Sequence, residues 1–130
     1  MGFQSSGSKK NIKIMIVDDE FFISRSLAFM LEKEGYECIT ANDGDEALKL
    51  VVQEKPDIMF LDINMPNKNG YEVCAEIKKN QDTKDIVVIM LTAKGQVEFE
   101  EKGFDVGADD FLLKPYDPNL IIAMIEKNLK

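Results

Sequence analysis

Three aspartates stand directly after short apolar runs. Ile14-Met15-Ile16-Val17 leads into Asp18-Asp19-Glu20, and Ile58-Met59-Phe60-Leu61 leads into Asp62-Ile63-Asn64. Acids at such places often cap a following helix and complement its dipole, and Asp18-Asp19 taken alone is open to that reading. A third carboxylate closing so apolar a run as Ile58 to Leu61 points elsewhere, because like charges held close resist ionisation unless a cation joins them. The chain contains no histidine, and its 2 cysteines, Cys38 and Cys74, lie in separate apolar segments that read as reduced core thiols. The donor set is therefore oxygen alone, which selects a hard divalent ion, Mg²⁺. Thr92, closing the run from Ile86, and Lys114, following Asp110 to Leu113, are in isolation an ordinary strand-end residue and a surface amine. Brought to the same carboxylates, a metal, a hydroxyl and an ammonium would together neutralise the oxygens of a transferring phosphoryl group. No Ser or Cys stands beside a base, so the nucleophile of such a site is a carboxylate.

Whether these groups meet depends on the elements that carry them. The chain has 130 residues, 45% hydrophobic and 31% charged, which suits one domain that folds without metal or disulfide staples. Acids outnumber bases 24 to 16, a net charge of -8 that repels phosphate backbones and anionic lipid. Unaided nucleic-acid or membrane binding is not expected. Residues 1–10, rich in Gly and Ser, read as a flexible tail or cloning scar, and residues 11–130 as the domain. The tail formally fits an N-myristoylation pattern through Gly2 and Ser6, but it reads as a tail rather than a lipid anchor. With no apolar stretch of membrane-spanning length and no secretory signal, the expected compartment is the cytoplasm.

From Lys13 onward, apolar runs alternate with longer segments of helical period, the signature of five βα units around a parallel sheet. The runs are 13–17, 37–41, 58–62, 86–92 and 110–113. Between them Ile23, Leu27, Met30 and Leu31, then Ala47, Leu48, Val51 and Val52, then Tyr71, Cys74 and Ile77, and finally Leu120, Ile121, Met124 and Ile125 paint single apolar faces. A helix over Gln96 to Gly107 is the least clearly patterned. Gly35 is placed to end the first helix, and Asp117-Pro118 to cap and open the last. The first, third and fourth runs are unbroken and belong in mid-sheet, whereas Glu37 to Ala41 alternates and belongs at an edge. Right-handed crossovers then give an α/β fold, a doubly wound flavodoxin-like sheet of order 2-1-3-4-5. Ligands bind beyond the carboxyl ends of its first and third strands, where the aspartates lie.

On these residues the sequence closely resembles the receiver domains of bacterial two-component response regulators. The matching segments are Ile16-Val17-Asp18-Asp19-Glu20, Asp62-Ile63-Asn64-Met65-Pro66 with Gly70, Leu91-Thr92-Ala93-Lys94, and Gly107-Ala108-Asp109-Asp110-Phe111 leading into Lys114-Pro115. The likeness runs from about Ile12 to the chain end. It implies that Asp62 accepts a phosphoryl group from the phosphohistidine of a sensor histidine kinase or phosphotransfer protein. It further implies Mg²⁺ held by Asp19 directly, by Asp18 chiefly through water, by Asp62 and by the backbone carbonyl of Asn64. Thr92 and Lys114 would hold the phosphoryl oxygens. Phe111 would turn inward as Thr92 moves toward the phosphate, and Asn64 and Lys94 would tune the lifetime of the acyl phosphate. Output would pass through the face of the fourth helix, fifth strand and fifth helix, to a homodimer partner or effector domain. The Lys114-Pro115 bond would be cis.

Three other readings fit these residues less well. A haloacid dehalogenase-like phosphatase also uses a strand-end Asp, Mg²⁺ and a lysine, but needs an acid where Asn64 stands and more chain for a cap domain. A flavin binder wants donors rather than acids at the first strand end. A pseudo-receiver without phosphorylation is set against the completeness of the site. The expected protein is a signalling switch, not an enzyme acting on other substrates. The end at Lys130 fits a stand-alone receiver or the first module of a longer regulator.

Overall fold

The computed structural model describes residues 12–93, 97–114 and 117–129, with residues 97–100 described by backbone alone. The expected tail, Lys94 and the Lys114-Pro115 bond lie outside the described residues. Among the described residues five strands, β1 (Lys13–Val17), β2 (Glu37–Ala41), β3 (Ile58–Asp62), β4 (Val87–Thr92) and β5 (Asp110–Leu113), alternate with five helices. These are α1 (Phe21–Lys33), α2 (Gly44–Glu54), α3 (Gly70–Lys79), α4 (Val97–Asp105) and α5 (Pro118–Asn128). The strands form one parallel sheet of order β2-β1-β3-β4-β5, as the unbroken and alternating runs require.

Each central strand is apolar on both sides because both sides are covered. Met15, Val17, Met59, Leu61, Val88 and Met90 face α2 and α3 through Ala47, Val51, Val73, Cys74 and Ile77. Ile14, Ile16, Ile58, Phe60, Ile89 and Leu91 face α1 and α5 through Leu27, Leu31, Ile121 and Ile125. Fully buried side chains of this size contribute about 1.5–3 kcal/mol each. A one-residue slip of register would exchange the two faces, so the register is tightly held.

The helix ends match the sequence signals. Gly35, at φ 102°, closes α1: its N–H donates to Glu32 O and the N–H of Tyr36 to Leu31 O, a Schellman motif. Asp117 caps α5, its carboxylate accepting the Asn119 N–H at 2.7 Å, with Pro118 in the first turn. The expected fourth strand begins one residue later than the apolar run, because the Ile86 N–H is taken by Thr83 O in the preceding turn.

Candidate functional site

Strand order brings the ends of β1 and β3 side by side, since Val17 pairs with Leu61 in the sheet. The residues beyond them, Asp18 and Asp19 on one side and Asp62 on the other, each place a carboxylate oxygen within 4.8 Å of the others. Asp18 is fully buried and Asp62 is 5% exposed, while Asp19 is open to solvent. Their backbone is set by the loops that follow. Asp18 Oδ1 accepts the Glu20 N–H at 2.9 Å, and Asp62 Oδ1 accepts the Asn64 N–H at 3.3 Å, so both carboxylates are oriented by the turn leaving their own strand.

The β3–α3 loop is pinned from its far end by a capping box, with reciprocal bonds between Asn69 and Glu72 at 2.9 and 3.0 Å. Gly70, the first residue of α3, then lies directly against the loop. A Cβ there would stand 2.5 Å from the Asp62 carbonyl oxygen, which is the physical reason for glycine at this place in the motif.

β4 and β5 supply the other two groups. Thr92, 4% exposed, ends β4 beside Asp62, whose strand partner is Leu91. The Lys114 N–H donates to Thr92 O at 2.7 Å, fixing the lysine at the mouth of the crevice. Its Nζ lies 3.2 Å from Asp18 Oδ2, 3.2 Å from Asp62 Oδ2 and 3.9 Å from Glu20 Oε1. The contact with Asp18 is an ion pair without hydrogen-bond geometry, so the buried Asp18 Oδ2 is left with no hydrogen-bond partner.

One ammonium thus serves two buried carboxylates. Burial pushes the Asp62 carboxyl up to about 6; Lys114 opposes the rise and the Asp18 charge adds to it. Burial likewise works against the charge of Lys114, yet Asp62 and Asp18 prevail and hold its ammonium above the ordinary lysine value. A buried carboxylate oxygen without a hydrogen bond, sharing one ammonium with a second buried acid, is only partly compensated. Such an oxygen, in an all-oxygen set of three acids, fits a hard divalent cation. Of the expected site residues, Asp18, Asp19, Asp62, Thr92 and Lys114 converge, and Asn64 contributes its backbone from an exposed loop position.

Phe111 lies on the same sheet face as Met90, its partner on β4, and packs at the margin of the core on the α2–α4 side. Strand alternation puts Thr92, two residues beyond Met90, on that face as well. The ring of Phe111 meets Phe104 edge-to-face at 5.1 Å between centroids and lies over Gly103. Gly103 has no counterpart among the sequence expectations. Its only signal there is a glycine inside a helical segment, where it costs stability and calls for a reason.

Residues 14–126 match the family model described as the response regulator receiver domain. The chain is 46% identical over 118 residues to a protein of Guillardia theta named "Probable transcriptional regulator ycf27", a match covering 91% of this chain. It spans less than half of that relative's length, 45%. Among solved structures, chemotaxis protein CheY4 of Vibrio cholerae superposes with a TM-score of 0.87 at 31% identity, covering 91% of this chain and 98% of CheY4. A putative response regulator from Chloroflexus aurantiacus gives a TM-score of 0.84 at 32% identity, covering 89% and 95% of the two chains. Among the described residues, no helix is long and apolar enough to cross a membrane.

Proposed function

Because the chain belongs to the response regulator receiver domain family, we propose that its signalling step is transfer of a phosphoryl group to Asp62. The observation that carries this reading is the pairing of Asp62 and Asp18 with one lysine at 3.2 Å each, inside a carboxylate cluster in which Asp18 Oδ2 has that charge contact but no hydrogen bond. The donor would be the phosphohistidine of a sensor histidine kinase or phosphotransfer protein. A carboxylate oxygen of Asp62 attacks phosphorus; the new O–P bond forms as the P–N bond breaks, and the electron pair leaves with the imidazole nitrogen.

Asp19, Asp18, Asp62 and the carbonyl of Asn64 would hold Mg²⁺, which supplies charge neutralisation for the phosphoryl oxygens. Lys114 offers its ammonium to one oxygen, exchanging a carboxylate partner for a phosphate of higher charge. Thr92 offers its hydroxyl to another, and Phe111 on the same face transmits the change toward α4, β5 and α5. That face would meet a second receiver or an effector domain. The backbone N–H of Asn64 keeps Asp62 aimed, and the Asn64 amide, with Lys94, would set how readily water reaches the acyl phosphate.

An amide two residues after the nucleophile cannot act as the general acid of a phosphatase. The domain, taken as residues 11–130, would therefore promote only its own phosphorylation and dephosphorylation; we further propose that it works in the cytoplasm and binds neither nucleic acid nor membrane itself.

Incubation with Mg²⁺ and acetyl phosphate, read by intact mass spectrometry, tests this. One hydroxylamine-labile phosphoryl adduct is expected on the wild-type chain and none on Asp62→Asn. An adduct that persists in Asp62→Asn, or sustained turnover of a phosphate monoester that Asp62→Asn abolishes, overturns the assignment.

A further inference from the structure

We propose that Gly103 is the positioning residue for Phe111: the missing side chain leaves a notch in α4 in which the aromatic ring is seated, and filling that notch unseats the ring. The inference rests on the reading of Phe111 as the element that carries the signal from Thr92, and deepens it by naming what holds the ring. Gly103 is inside α4, where glycine is a poor helix former and alanine the best. It is nonetheless buried, and what covers it is Phe111: an ideal Cβ on Gly103 would overlap Cζ of the ring and stand 2.9 and 3.1 Å from its two Cε atoms. Phe104, next in sequence, meets the same ring edge-to-face at 5.1 Å, so the ring rests against two consecutive residues of α4.

The backbone around the notch leaves little room to yield. The Gly103 carbonyl accepts the Val106 N–H at 3.2 Å and the Ala108 N–H at 2.9 Å, tying the end of α4 to the segment that enters β5. The Asp109 N–H then donates to Val88 O at 2.8 Å, and Met90 pairs with Phe111. Both walls of the seat, α4 and β5, are therefore joined through a short, hydrogen-bonded link. A methyl group added at Gly103 cannot be absorbed by moving the helix alone; the flexible partner is the ring, by rotation of its side chain. In contrast to Gly35 and Gly107, Gly103 has no positive φ, so alanine suits its backbone, and the three nearest atoms its Cβ would meet all belong to the ring.

Two measurements on the full 130-residue chain test this. The first is a thermal-unfolding cycle of Gly103→Ala, Phe111→Ala and the double variant. With the ring present, Gly103→Ala should lower the unfolding midpoint or leave it unchanged; with Phe111→Ala already in place, the same substitution should raise it. A rise of equal size in both backgrounds overturns the proposal, because it would be helix propensity alone. The second uses 4-fluorophenylalanine labelling, with the Phe111 resonance assigned by its loss in Phe111→Tyr. In Gly103→Ala that line should move and acquire a larger H₂O/D₂O solvent shift; an unmoved line in a folded variant overturns the proposal. Adding beryllofluoride and Mg²⁺ to the wild-type chain separates the two readings. If the Phe111 line stays fixed there, Phe111 is not the signal carrier, while the seat at Gly103 is still decided by the other two results.

Discussion

Two lysines in this domain are equally shielded, Lys78 at 18% and Lys114 at 19% side-chain exposure, and both pair with aspartates, yet their surroundings differ in kind. Lys78 donates to Asp109 Oδ2 at 3.0 Å and to the carbonyls of Lys84 and Ile86 at 3.1 and 2.6 Å. Asp109 Oδ2 also accepts the Val88 N–H at 2.8 Å. That centre joins α3, β4 and the approach to β5, and donors and acceptors match within it. Lys114 instead faces Asp18 and Asp62 together, with Asp19 close by, and a buried oxygen of Asp18 goes without a hydrogen bond. The first arrangement is complete without any further group. The second carries surplus negative charge and, on the proposed function, would be completed by a cation and then by a phosphoryl group that takes over the lysine. Structural and functional ion pairs are thus separated by how far they are satisfied, not by how deeply they are buried.

The sharpest test of that contrast exchanges one aspartate in each centre. Asp62→Asn should abolish phosphoryl acceptance, and Asp109→Asn should retain it in the folded fraction, both read by intact mass after acetyl phosphate and Mg²⁺. Loss of acceptance in folded Asp109→Asn would erase the distinction between the two centres.

The sequence exposes the second centre far better than the first. Asp18 and Asp62 stand out because a charge directly after a both-sided apolar run has to sit at the end of a central strand, and chain order through right-handed crossovers makes those two ends neighbours. Thr92 and Lys114 are legible for the same reason, by strand position. Lys78 is an ordinary basic residue near a helix end, and nothing local says that it reaches two carbonyls beyond its helix and a carboxylate 31 residues later. Gly103 is legible only as an anomaly, because its role is a contact with a ring on another element. Periodicity reports which face a residue takes; it does not report which long side chain bridges elements, or where a missing side chain makes room.

Stability should divide the centres in opposite directions. Lys78→Met leaves Asp109 and two carbonyls without their shared donor, and should cost about 1–2 kcal/mol in urea denaturation, since Asp109 is partly solvated, while leaving acyl phosphate formation intact at temperatures where the variant is folded. A cost below about 0.5 kcal/mol, the scale of ordinary surface changes, would show that the centre is not a structural lock.

Asp62→Asn should stabilise. Burial raises the Asp62 carboxyl from 3.8 to about 6, so the native state resists its ionisation and the unfolded chain does not. The resulting penalty is absent below about pH 4, grows between about 4 and 6, and is constant above that, at most about 3 kcal/mol for a shift of about two units. Unfolding free energies of wild type and Asp62→Asn, measured without divalent metal, should therefore coincide at pH 4 and separate by about 1–3 kcal/mol at pH 7, with the variant the more stable. Equal stability across that range would mean that Asp62 is as well satisfied as Asp109.

The smallest effect, and the most diagnostic of surplus negative charge, is on metal affinity in Lys114→Met. The ammonium at 3.2 Å from Asp18 and Asp62 occupies the same field that would attract a divalent cation. A unit charge near ~4 Å acts on another with up to ~4 kcal/mol at an effective dielectric of ~20, less where water screens it. Removing the lysine deletes that repulsion toward Mg²⁺, but it also deletes the group that opposes the rise of the Asp62 carboxyl, so protons compete harder for the site. The two consequences separate with pH. Near pH 7 they partly cancel; at pH 8.5 protons compete less for Asp62 and the lost repulsion dominates. Calorimetric titration at pH 8.5 should then show Mg²⁺ bound several-fold more tightly by Lys114→Met than by wild type, a gain of about 1 kcal/mol. The variant should still form some acyl phosphate but lose the change in amide exchange along α4, β5 and α5 that beryllofluoride induces in wild type, because no ammonium links the new charge to β5. Clearly weaker Mg²⁺ binding at pH 8.5 in a folded Lys114→Met would place the lysine among the groups that build the metal site, and the two centres would then differ in degree only.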